Sequence, residues 1–145
     1  MNEKFIQNLD KLPADVRRQF ALLANQYGEK KKQKSIQDDF LTFVKHVWPD
    51  FIEGSHHKRI ADKFNKLASG EIKRLIINMP PRHTKSEFGS YLLPAWMVGR
   101  NPKLKIIQST NTTELSVRFG RKAKALIDSV EYQKVFKTKL REDSQ

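Results

Sequence analysis

The amino-acid sequence predicts an α/β fold organised on a parallel sheet, and three features predict it. Residues 73–79 and 104–108 are short runs rich in branched side chains, a helical pattern lies between them, and a polar, proline-bearing loop joins the first run to that helix. Branched residues in close succession suit a strand buried on both faces, the situation of a strand in a parallel sheet. Strand, loop, helix and strand within about 35 residues make a βαβ unit, whose crossover closes right-handed. That topology carries the loop after the first strand to the carboxyl edge of the sheet, where open α/β folds bind their ligands.

The remaining elements follow in chain order. Val16, Phe20, Leu23 and Tyr27 recur at helical spacing between Pro13 and Gly28, so the chain is expected to begin with a helix of about four turns. Residues 28–35 (Gly-Glu-Lys-Lys-Lys-Gln-Lys-Ser) have no apolar member and read as a solvated linker. Helix and linker together form an N-terminal arm over residues 1–35, set before one domain, or part of one, over residues 36–145. Ser35 with Asp38 is a capping pair for the next helix, whose Ile36, Phe40, Phe43, Val44 and Val47 share a face up to Pro49. Asp38 and Asp39 read as first-turn acids favoured by the helix dipole, with no catalytic role. Residues 55–68 give a further helix with Ile60, Phe64 and Leu67 inward and Gly70 at its end. Beyond the first strand, residues 85–99 are helical, with Pro94 kinking the helix or ending it early. Asn111 with Glu114 then caps a helix whose inner face is Leu115, Phe119, Ala123, Leu126 and Ile127, and residues 129–145 read as a tail.

Composition narrows the function classes. With 145 residues and 38% hydrophobic content the chain suits one ordinary domain and is too polar throughout for a membrane span. Residues 1–10 lack the uninterrupted apolar stretch of a secretory signal, so export is not expected. The absence of cysteine excludes disulfides, thiolate metal sites and cysteine nucleophiles. Twenty-eight Lys and Arg against 16 Asp and Glu give a net charge of +12. Such an excess suits a polyanionic partner, since each cation beside a phosphate releases condensed counterions, and it equally suits a basic, solvated surface. Lys30, Lys31 and Lys32 in the linker, and Arg118, Arg121 and Lys122 on the helix face opposite the apolar stripe, are the candidate DNA contacts.

The chemistry is expected in the loop Met79-Pro80-Pro81-Arg82-His83-Thr84-Lys85-Ser86. Between a buried strand and a helix, its backbone amides should converge where an anion sits, with the helix N-terminus adding partial positive charge. Lys85 supplies a full charge for the β- and γ-phosphates of a nucleoside triphosphate, and the Ser86 hydroxyl suits the Mg²⁺ that travels with it. The pattern departs from G-x-x-x-x-G-K-[ST]: Met79 stands at the first glycine position and Thr84 at the second, where a β-branched residue resists the conformation glycine allows.

From Arg74 to Glu87 the chain resembles the deviant Walker A region of the large terminase subunit of tailed bacteriophages, in which a PPRHGKS loop replaces the two-glycine form. The likeness extends through Trp48-Pro49, His56-His57 and Gly70-Glu71 upstream, and through Pro94-Ala95-Trp96, Ile106-Ile107 and Phe119-Gly120-Arg121 downstream. The resemblance implies a P-loop NTPase core, represented over residues 36–145 by its N-terminal portion, in an ATP-driven motor threading double-stranded DNA into a procapsid. It implies a ring of subunits in the host bacterial cytoplasm, partnered by a portal protein and a small terminase subunit, with a ribonuclease-H-like nuclease domain usually joined to the ATPase. On that likeness Pro81, Arg82, His83, Thr84, Lys85 and Ser86 form the ATP site, Lys85 and Ser86 hold phosphate and Mg²⁺, and Arg82 either senses the γ-phosphate or shapes the loop.

Rival readings are a non-catalytic basic nucleic-acid-binding fragment with a degenerate loop, and another P-loop ATPase such as a helicase, which the missing glycines disfavour. His46, His56, His57 and His83 have no metal-site spacing and read as surface or half-buried histidines, with a capping or nucleotide-proximal role as the alternative, while Trp48 and Trp96 read as core. No buried apolar run after residue 108 ends in paired acids. A metal-holding acid and a water-activating carboxylate are therefore missing from the pattern, and this chain alone is expected to bind ATP without turning it over at a motor's rate.

Overall fold

The computed structural model describes residues 13–140, of which 67% are helical and none forms a strand. Backbone contacts divide the chain between Lys34 and Ser35 into two units. Helix α1 (Ala14–Asp38) runs through the segment expected to be a linker. Its Glu, Lys and Gln residues are good helix formers, and one interior glycine, Gly28, costs only about 1 kcal/mol against them. Lys30, Lys31 and Lys32 are exposed on it. The apolar stripe of Val16, Phe20, Leu23 and Tyr27 is also largely exposed, Tyr27 by 71%.

In the second unit, the cap expected at Ser35 falls instead at Asp39. Because α1 continues through Ser35, no free amide is left there to cap. Asp39 leaves helical geometry, and its carboxylate accepts from the Thr42 amide at 2.7 Å and the Thr42 hydroxyl at 2.6 Å, starting α2 (Phe40–Val47). Burial alone would raise the Asp39 pKa, but the Thr42 bonds, a 2.8 Å bond from the Asn65 amide and the charge of Lys45 together hold it below the usual carboxylate range. Phe40 sits at the centre of the core, with the rings of Phe64, Phe88 and Trp96 at 5.0, 5.4 and 5.5 Å, all edge-on. Helix α3 (Ser55–Ser69) ends on Gly70, whose φ of 81° is the left-handed closure that glycine takes without strain.

The parallel sheet and its βαβ unit are absent among the described residues, which corrects the α/β expectation. Residues 73–79 do alternate in burial: Leu75, Ile77 and Met79 pack on the helical core, while Ile76 is 86% exposed. One face of the run is covered, beside α3, and among the described residues no neighbouring strand takes up its backbone groups. Residues 104–108 fare no better, with Ile107 95% exposed. Branched residues in succession signal a strand buried on both sides, but burial on the second side needs partners that the described residues do not supply.

The run expected at residues 85–99 is helical in three pieces: α4 (Lys85–Glu87), a π-helical turn (Phe88–Leu92) and α5 (Leu93–Arg100). The helix does not end at Pro94. It widens just before it, the Leu93 amide bonding the Phe88 carbonyl, so that proline opens the next α-helical piece, where its missing N–H is not needed. Trp96 on α5 is fully buried and its indole N–H reaches the Ile36 carbonyl at 3.4 Å, while Trp48 packs half-buried at the core's edge. Thr112 rather than Asn111 caps α6 (Thr113–Asp128), which buries Phe119 and Ile127. The expected tail begins as α7 (Val130–Val135), capped by Ser129, with the Tyr132 hydroxyl donating to the Ala95 carbonyl at 2.8 Å. Burial pushes the Tyr132 phenol up to about 12. Among the described residues no helix is long and apolar enough to cross a membrane.

Candidate functional site

The loop between the extended run and α4 turns on two residues with positive φ, Arg82 at 65° and Thr84 at 57°. For an L-residue this conformation costs about 1–2 kcal/mol, and it is least natural for a β-branched one such as Thr84. Side-chain bonds hold the turn. The His83 Nδ1–H donates to the Pro81 carbonyl at 2.9 Å, and the Thr84 hydroxyl donates to the His83 carbonyl at 2.7 Å. His57, on the first turn of α3, lies 2.7 Å from Thr84 Oγ1 through its Nε2. Lys85 reaches back across the loop to the Met79 carbonyl at 3.3 Å.

Met79 to Glu87 line an open cavity of about 570 Å³. Arg82 and Lys85 are its cations, and among the described residues neither has a carboxylate partner. Its one carboxylate, Glu87, is held by Lys122 of α6 at 2.9 Å, and burial together with Glu87 pushes the neighbouring Tyr91 phenol up to about 12. The net charge facing solvent from this loop is therefore positive. An anion of high charge density fits such a site, and a triphosphate is one. Ser86 is exposed beside Lys85 and offers a hydroxyl oxygen to the cavity. Among the described residues no three His, Cys, Asp or Glu side chains are placed to share an ion, so a Mg²⁺ here would arrive with phosphate oxygens as its main ligands.

The sequence-based candidates thus fall into separate groups. Pro81, Arg82, His83, Thr84, Lys85 and Ser86 are together in the loop. Arg118, Arg121 and Lys122 share a second open cavity of about 530 Å³ along α6. Lys122 is committed to Glu87 and also stands 5.1 Å from the Tyr91 ring. Lys30, Lys31 and Lys32 lie on α1, where consecutive positions fan around the helix and share no single face.

Sequence reasoning read His57 as a surface or half-buried histidine, with a capping or nucleotide-proximal role as the alternative, and did not find its contact with Thr84. His57 is 5% exposed, and burial first, then the neighbouring His56 and His83, keep its pKa below the ordinary 6.5, against the opposing pull of Glu53. The ring centroids of His56 and His57 are 3.8 Å apart, and His56 lies 5.7 Å from His83. Nothing in the spacing of residues 57 and 84 announces their contact. The available signal was a threonine placed where the loop needs a left-handed residue, which calls for an outside partner. No family model, curated protein or solved structure matches the chain.

Proposed function

We propose that loop 79–86 binds the β- and γ-phosphates of ATP with its Mg²⁺, and that the chain is the ATP-binding part of a viral DNA-packaging motor, a terminase large subunit. The observation that carries the reading is the loop itself: two left-handed residues bracket His83, and Arg82 and Lys85 stand unneutralised over one open cavity. The reading stands on this loop and on the Arg74 to Glu87 resemblance, and not on a parallel sheet. Lys85 would bind the phosphates, Arg82 would neutralise charge at the γ-phosphate, and Ser86 would hold the metal, which when bound draws charge from the phosphate oxygens. The partners that follow are double-stranded DNA as cargo, a portal protein, a small terminase subunit and further copies in a ring, in the host bacterial cytoplasm.

Titration with a fluorescent ATP analogue tests the site. Lys85→Ala should lose about 1.5–3 kcal/mol of binding, roughly 10- to 150-fold in Kd. Equal affinity for both proteins would overturn the assignment and favour a non-catalytic, basic nucleic-acid-binding chain.

A further inference from the structure

The donors and acceptors around His57 can be assigned without ambiguity. The Gly54 backbone N–H donates to His57 Nδ1 at 2.9 Å, so that nitrogen carries a lone pair and the proton of the neutral ring sits on Nε2. The Thr84 hydroxyl spends its proton on the His83 carbonyl, a group that only accepts. Thr84 Oγ1 therefore receives the Nε2–H of His57 across 2.7 Å. A one-way relay results, from the start of α3 through a buried ring to the residue of the loop with the least natural backbone conformation. The side chain of Thr84 makes no cap for α4.

We propose that His57 is a positioning residue for the phosphate loop: its Nε2–H pins the Thr84 hydroxyl, and with it the left-handed turn that sets Lys85 and Ser86. This rests on the reading of the loop as a phosphate site. The histidine does in this chain what a glycine would do by freedom alone, since glycine adopts positive φ without an external hold. Loss of the bond should matter with Thr84 present and not with glycine there.

Three variants separate the atoms. His57→Gln can present an N–H near the Nε2 position, His57→Asn can accept from Gly54 but cannot reach Thr84, and Thr84→Val keeps the branched shape without the hydroxyl. With no ligand, NMR of the full chain should show the Nε2–H tautomer for His57. It should also show the strong intraresidue amide–Hα cross-peak of positive φ at Thr84 in wild type and His57→Gln. His57→Asn and Thr84→Val should lose that cross-peak. With the fluorescent ATP analogue, those two should bind about tenfold more weakly, the weight of one hydrogen bond, and His57→Gln should stay near wild type. In a Thr84→Gly background, adding His57→Asn should change Kd less than about twofold. A positive φ at residue 84 that survives His57→Asn, or an equal His57→Asn penalty in both backgrounds, overturns the proposal. If wild type binds no nucleotide while the ligand-free spectra behave as stated, the phosphate reading fails and the positioning of Thr84 by His57 stands.

Discussion

Thr84 and His57 show how one position can be strained and still well determined. A left-handed threonine costs about 1–2 kcal/mol, and a hydrogen bond returns about 1 kcal/mol, so the two bonds of its hydroxyl roughly offset the strain. The buried His57 can accept from the Gly54 N–H only while its ring is neutral, which gives stability a pH dependence of known sign. Its pKa lies below 6.5 in the folded protein, so the folded state takes up a proton less readily than the unfolded one. The stability that neutral His57 contributes is whole above about pH 6.5 and is lost as the pH falls through the lower folded value. Between about pH 7.5 and about pH 5 the urea midpoint of wild type should therefore fall further than that of His57→Gln. Equal falls would show that His57 is not the group responsible. The loop that carries Lys85 and Ser86 was legible as a candidate because its pattern is local. The pairing of His57 with Thr84 was not, since a contact between residues 27 positions apart depends on how α3 lies against the loop.

At the scale of elements, α5 and α7 meet at a point that tolerates no added atom. A Cβ on Gly99 would stand 2.6 Å from the Phe136 ring and 2.7 Å from the Tyr132 hydroxyl, both buried. Gly99→Ala should accordingly destabilise the fold by about 1–3 kcal/mol through overpacking, although alanine is the better helix former, and a urea melt with an unchanged or higher midpoint would contradict the packing described. Helices with a strong apolar period were legible, α3 and α6 to within a residue or two and α2 with its start moved from Ser35 to Asp39. The strands were not, because a run like Leu75-Ile76-Ile77 states a preference for extended backbone and says nothing of whether a neighbour will pair with it. α7 went unread because a six-residue helix gives too little period to detect, and α1 ran long because the lysines of its second half favour helix as readily as solvent.

For the molecule as a whole, a net charge of +12 favours phosphate-rich partners without choosing a surface. The ion pair of Lys122 with Glu87 makes that choice partly testable. If DNA is bound through about four phosphates, log K should fall with log salt at a slope of roughly −3.6, and Arg118→Ala or Arg121→Ala should each reduce it by about 0.9. Lys122→Ala should leave the slope nearly unchanged, its ammonium being engaged within the chain, and a full reduction there would place the DNA contact on that residue instead. The central claim, that loop 79–86 is where a nucleotide's phosphates bind, is tested most directly by following backbone amide shifts during a titration with MgATP. Saturable shifts should be largest from Arg82 to Glu87 and absent in Lys85→Ala. Saturable shifts confined to other parts of the chain, or none at millimolar nucleotide, would contradict it.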